Sequence, residues 1–160
     1  MDESVDIAAL MKQLGEDTVA WVRDSYEADL DYSEESIEIV ERLLEELHNE
    51  LPRTETGELV ADESSTDTID AICNMVGGYF GETIKRHHGG EWTINNLAAD
   101  QPMVCLQIGT VSVFPTAKVY KRLSYGSSDN ISFFYSALKN HLHEAEAEGQ
   151  SGPEPDDRGA

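Results

Sequence analysis

The sequence has few cysteines, and it has no long apolar run. Its two cysteines, Cys73 and Cys105, give neither a disulfide framework nor a metal motif, and their apolar neighbours predict buried free thiols. No apolar stretch approaches the roughly 20 residues that a membrane helix needs, so we expect no membrane-spanning segment. The acidic N-terminus lacks the basic and apolar regions of a signal peptide. The sequence therefore predicts a cytoplasmic protein without membrane contact.

Basic residues are also scarce. The chain has 11 Lys and Arg residues and 32 Asp and Glu residues, which gives a net charge of −21. Such a balance argues against direct binding of nucleic acid, because phosphate contacts require cations. It favours a basic protein as a partner, although an acidic surface can also serve only solubility. The sequence does not predict the oligomeric state.

The charges are distributed unevenly along the chain. Residues 1–70 hold 22 acidic and 4 basic residues, residues 81–142 hold 4 acidic and 6 basic residues, and residues 143–160 are again acidic. An acidic first half and an acidic tail therefore flank a mildly basic centre.

Catalytic and metal-binding motifs are absent from the sequence. There is no GxSxG, no phosphate-binding loop and no HExxH pattern. The adjacent His87 and His88 would point about 100° apart on a helix, which makes a shared metal ion difficult. We therefore predict no cofactor and no metal, and we favour a non-catalytic protein while leaving enzymatic activity open.

Apolar periodicity predicts three helices in the first half of the chain. The first covers about residues 6–28, with Gly15 as a potential break and Trp21 as the core anchor. The second runs from a cap at Asp31 or Ser33 to about residue 51, and its apolar stripe is strong. The third begins near residue 65, with Ser65 or Thr66 as its cap.

Glycines mark the third helix. Gly77 and Gly81 lie four residues apart, so they share one side of the helix and predict close packing against a neighbour, with a backbone-lined pocket as the alternative. Gly89 is placed to end the helix as a left-handed C-cap.

The second half of the chain predicts a small antiparallel meander followed by two helices. Strands are expected at residues 91–95, 103–108 and 111–114, with Trp92 and Ile94 on one face. Helices then follow at residues 115–123 and from a cap at Ser128 or Asp129 to residue 142. We therefore predict one α+β domain over residues 1–145 and a disordered acidic tail over residues 146–160.

Two candidate sites follow from the charge map. The first is an acidic helix face that would bind a basic partner, formed by Glu34, Glu38, Glu41 and Glu45. The second is a basic site for a small anionic ligand, formed by Lys85, Arg86, His87, Lys121 and Arg122. The competing interpretation is that these cations pair with the acidic helices. The helical spacing separately places Lys118, Lys121 and Arg122 together on the outer side of the fourth helix, opposite Val119 and Leu123.

Several segments together resemble a known group of sequences. They are GYFGETI at residues 78–84, GGEW at 89–92, KVYKRLSYG at 118–126 and FFY at 133–135, preceded by DYSEESIEIVERLL at 31–44. Over about residues 17–142 the chain resembles a group of small bacterial proteins known only as domains of unknown function. This resemblance implies no particular reaction. An immunity or adaptor role, by analogy with other small acidic proteins, is our first functional hypothesis, and binding of a small anionic ligand is the second.

Overall fold

The computed structural model describes residues 6–95 and 103–151, and in this part of the chain three helices precede a small sheet that two helices follow. The first three helices are α1 (Ile7–Tyr26), α2 (Ser36–Glu50) and α3 (Glu63–His88). The strands are β1 (Glu91–Asn95), β2 (Met103–Ile108) and β3 (Val111–Val113). The last elements are α4 (Pro115–Tyr125), a short 3₁₀ helix (Gly126–Asp129) and α5 (Ile131–Ser151). The predicted α+β class is confirmed.

Some predictions fall outside the described residues. The loop expected between the first two strands lies at residues 96–102, and the side chains of residues 146–151 are not described either. Helix α5 reaches Ser151, beyond the predicted end near residue 142. The rest of the tail, residues 152–160, lies outside the described part, so its disorder stays a prediction.

Helix α1 is continuous, and the predicted break at Gly15 is wrong. Gly15 is buried, and a Cβ added there would lie 3.5 Å from the Cα of Tyr79 on α3. That distance is an ordinary van der Waals contact, so Gly15 lies in the packed contact between α1 and α3 and does not end α1. Trp21 is only partly buried and packs edge-on against Tyr26, so the core anchor of α1 is Val22, which is 1% exposed.

The apolar stripe of α2 is buried as predicted, and α2 packs mainly against α4 and α5. Its buried members are Ile37, Val40, Leu43, Leu44 and Leu47. At the start of the helix, Ser33 Oγ accepts a hydrogen bond from the backbone N–H of Ser36 at 3.1 Å. Ser33, one of the two predicted capping residues, thus holds the first turn.

Close packing of α3 through its glycines is confirmed. A Cβ at Gly77 would lie 2.7 Å from the Cα of Thr116 on α4, and one at Gly78 would lie 3.0 Å from the carbonyl oxygen of Met11 on α1. A Cβ at Gly81 would overlap the indole ring of Trp92. Three neighbouring elements therefore approach α3 at distances that only glycine permits.

The two ends of α3 differ from the prediction in detail. The helix starts at Glu63 because the carboxylate of Asp62 accepts from the backbone N–H of Ser65 at 2.8 Å, so neither predicted hydroxyl is the cap. Gly89 ends it as predicted, and its N–H donates to the carbonyl of Lys85. Its φ of +80° is positive, but its ψ of −162° is extended and not left-handed helical.

The sheet is an antiparallel meander in the order β1-β2-β3, as predicted. Trp92 on β1 is 8% exposed and donates from its indole N–H to Glu82 on α3, whereas Ile94 is 38% exposed. Only the first half of the predicted apolar face of β1 therefore packs on the helices.

Helices α4 and α5 close the fold. Pro115 begins α4 as predicted, where its missing N–H costs no hydrogen bond. Asn130 caps α5 in place of the predicted Ser128 or Asp129, because its Oδ1 accepts from the backbone N–H groups of Ser132 and Phe133. None of the helices in the described ranges combines the length and apolar character that crossing a bilayer requires.

Candidate functional site

The structure divides the predicted acidic face, because Glu41 points inward. Its carboxylate lies 2.9 Å from Nε of Arg122 on α4 and accepts from the backbone N–H of Ile131 on α5 at 3.0 Å. Glu41 is 8% exposed and Arg122 is 1% exposed. This residue joins three helices inside the protein, so it cannot also contact a partner at the surface.

Arg122 is therefore not part of a surface anion site, and the predicted outer cluster on α4 is wrong at this position. Burial pushes the pKa of Arg122 downward, but hydrogen bonds and charge from Glu41 and Glu45 outweigh it, and the pKa is raised. A permanent guanidinium charge in the interior needs such carboxylates, because an unpaired buried charge is very costly. The prediction that basic residues pair with the acidic helices is confirmed for Arg122.

Glu45 completes this internal cluster at its rim. Its carboxylate binds Nη2 of Arg122, while half of its side chain (49%) stays exposed. One hydrogen-bond donor of this cluster is unsatisfied, because Nη1 of Arg122 has no hydrogen-bond partner within the described residues.

Glu34 forms a second polar cluster at the C-terminal end of α3. The hydroxyl of Tyr135 on α5 donates to its carboxylate, and the ammonium of Lys139 lies 3.4 Å from the same oxygen. Nε2 of His88 lies 2.9 Å from the Tyr135 hydroxyl and 4.0 Å from Glu34. The hydrogen bond from Tyr135 lowers the pKa of Glu34, while burial and then Glu34 raise the pKa of Tyr135.

The predicted basic residues at the end of α3 hold the segment between α1 and α2. The guanidinium of Arg86 lies 3.5 Å from the ring centroid of Tyr32, and Nε2 of His87 lies 2.9 Å from the carbonyl oxygen of the same residue. Lys85 and Lys121 make no ion pair with any described residue. The five predicted ligand residues therefore do not form a single site.

A groove of about 770 Å³ opens beside this end of α3. It lies between α3, the turn that joins β2 to β3, and α5. Its lining side chains and backbone belong to His87, His88, Ile108, Gly109, Thr110, Lys139, Asn140, Leu142, His143 and Ala145.

Sequence reasoning included only one of these groove residues, His87, among the predicted site residues. Lys139 and His143 on α5 were missed as ligand residues, although their four-residue spacing places them on one face of a helix. That spacing was the available signal.

The outer face of α2 carries several exposed carboxylates. We define it by the exposed residues Glu35, Glu38, Arg42, Glu45, Glu46 and Asn49. Glu38 and Glu46 form no ion pair with the described residues. Of the predicted partner-binding residues, Glu38 is fully on this face, Glu45 is shared with the interior, and Glu34 and Glu41 serve the two clusters.

Neither thiol is a candidate nucleophile in this arrangement. Cys73 and Cys105 are both free and buried, as predicted, and burial raises the pKa of Cys73 to about 12. The Cys73 thiol thus stays protonated at neutral pH. Within residues 6–95 and 103–151, no group of three His, Cys, Asp or Glu side chains is placed to hold a metal ion.

Comparisons with protein families, with curated proteins and with solved structures find no match to this chain. The resemblance to bacterial domains of unknown function therefore stays a prediction. The functional argument rests on the charge distribution and on the geometry of these two surfaces.

Proposed function

We propose that the protein is a non-catalytic binding protein that recognises a basic partner protein through the outer face of α2. The observation that supports this most is the exposure of Glu38 and Glu46 without ion pairs to the described residues, in a chain of net charge −21. An immunity or adaptor role would suit such a face. We include a cytoplasmic location in the proposal, because free thiols such as those of Cys73 and Cys105 stay reduced there.

The rigidity of α2 favours this face as a recognition surface. Its opposite side is buried in the core through Val40, Leu44 and other apolar residues, and Glu41 ties it to α4 and α5. A helix held in this way fixes the backbone positions of its glutamates, so that only their side chains must be ordered when a partner binds. Opposite charge would also speed association, most strongly at low ionic strength.

The test is affinity capture from lysate of the source cell with immobilised protein, at low and at moderate salt. We expect at least one basic protein to be retained at low salt and released as salt rises. The double substitution Glu38→Lys and Glu46→Lys should abolish its retention, because it reverses the charge at the centre of the proposed surface.

A second double variant with the same net charge shows whether the overall electrostatic potential of the protein, and not the face of α2, determines retention. Glu55→Lys with Glu58→Lys makes the same change in an exposed loop before α3. If both double variants weaken retention equally, or if no salt-sensitive basic partner is retained by the wild type, the proposal is wrong.

The second functional hypothesis needs a different site. A small anionic ligand bound by Lys85, Lys121 and Arg122 is no longer supported as a single cluster, since Arg122 lies in the interior.

A further inference from the structure

The lining of the groove beside α3 combines basic and apolar residues. Its basic members are His87 and His88 at the end of α3, with Lys139 and His143 on α5. The groove also includes the apolar residues Ile108 from β2 and Leu142 from α5. It is wide enough for a small organic molecule, since sites of this kind typically occupy about 300–1,000 Å³.

We propose that this groove binds a small organic anion, with its anionic group at Lys139 and its apolar body against Ile108 and Leu142. Lys139 supplies the positive charge, and the imidazole of His143 and the amide of Asn140 supply hydrogen-bond donors. The site is independent of the outer face of α2, and it differs from the basic cluster predicted from the sequence.

Glu34 is an internal competitor for the ligand. Its carboxylate lies 3.4 Å from the ammonium of Lys139 and 4.0 Å from Nε2 of His88, so it already pairs with the Lys139 ammonium in the free protein. Its side chain is 38% exposed, and solvent therefore screens part of this attraction. A ligand anion takes over Lys139 from Glu34, and neutralising Glu34 should strengthen binding.

The primary experiment is an NMR titration of the full chain at pH 7 with phenylacetate, following the ring signals of the histidines. Phenylacetate combines an ionised carboxylate with an apolar ring. Acetate lacks the ring, and 2-phenylethanol replaces the carboxylate with a neutral hydroxyl. We expect phenylacetate to shift the signals of His87, His88 and His143 and to bind at least about tenfold more tightly than either comparison molecule.

Three substitutions then locate the anionic group. Lys139→Gln should weaken phenylacetate binding about tenfold, the loss expected for one charge-assisted hydrogen bond. Lys121→Gln removes the same charge from an exposed position on α4 and should have no effect. Glu34→Gln, which keeps an oxygen that can accept from Tyr135, should bind phenylacetate several-fold more tightly.

Four results would overturn the assignment. The first is that phenylacetate causes saturable changes in chemical shift elsewhere but not in the groove histidines, and the second is that the Lys139 and Lys121 variants lose the same amount of affinity. The third is weaker or unchanged phenylacetate binding by the Glu34 variant. The fourth is that 2-phenylethanol binds as tightly as phenylacetate. Thermal unfolding and the backbone amide spectrum of each variant show whether the fold is retained. The Lys121 and Glu34 comparisons keep the test informative even if Lys139→Gln lowers stability.

Discussion

Glu41 lies on α2 and Glu34 lies seven residues earlier, just before the helix, and their carboxylates bind different partners on α4 and α5. Glu41 is 8% exposed and holds a guanidinium and a backbone N–H. Glu34 is 38% exposed and holds a phenol and an ammonium. Water cannot replace the partners of Glu41 in the buried cluster that it forms with Arg122. In the surface cluster of Glu34, Tyr135 and Lys139, a ligand anion can replace Glu34 as the partner of Lys139. Similar residue types therefore serve architecture in one place and can serve recognition in the other.

The largest expected effect comes from breaking the buried cluster. Arg122→Met leaves the carboxylate of Glu41 buried without its cation, and we expect unfolding to require about 3–5 kcal/mol less free energy. Urea denaturation measures this difference.

Removal of both charges provides the control for that variant. Glu41→Leu added to Arg122→Met should restore part of the lost stability, since it eliminates the unpaired carboxylate, although Ile131 then loses its hydrogen-bond acceptor. A loss below about 1 kcal/mol for Arg122→Met alone would mean that the cluster is not desolvated.

A smaller effect is expected at the surface cluster from Tyr135→Phe, which removes the hydrogen bond to Glu34 and should cost about 1 kcal/mol. That bond lowers the pKa of folded Glu34, so its contribution is present above the unfolded pKa and is lost as the pH falls through the folded value. The variant should therefore show a smaller loss of stability on acidification. Denaturation at several pH values measures this slope, and a slope equal to that of the wild type would contradict the role of Tyr135.

The smallest effect is expected from Lys139→Met. The ammonium pairs with Glu34 at the surface, where both side chains are more than a third exposed, so we expect a loss of less than about 1 kcal/mol. A loss as large as that of Arg122→Met in the same urea experiment would remove the distinction between the two clusters.

Periodicity predicted most of the fold because each element has an apolar pattern of its own. The stripe of α2, the alternation in β1 and β2 and the glycine spacing of α3 all led to the correct elements. The errors came from residues whose role depends on a distant partner. Gly15 looked like a break because its neighbour Tyr79 is remote in sequence, and no local signal distinguishes the two.

The candidate sites were harder to predict for the same reason. The sequence places Glu38, Glu41 and Glu45 on one helix, but only the position of α4 decides that Glu41 faces Arg122. Lys139 contributes to the groove because α5 packs across the end of α3 near His88. The orientation of each helix in the fold decides whether such a charge lies in the interior, in a groove or on the surface. Local sequence patterns do not encode that orientation.

The central claim is that the carboxylates of α2 divide between architecture and recognition. The most direct test measures both stability and partner retention for two variants, Glu41→Gln and the double variant Glu38→Lys/Glu46→Lys. We predict a crossed result, in which the Glu41 variant unfolds more easily yet retains the basic partner under conditions where it is folded, while the double variant is as stable as the wild type and loses the partner. Loss of the same property in both variants would contradict the division.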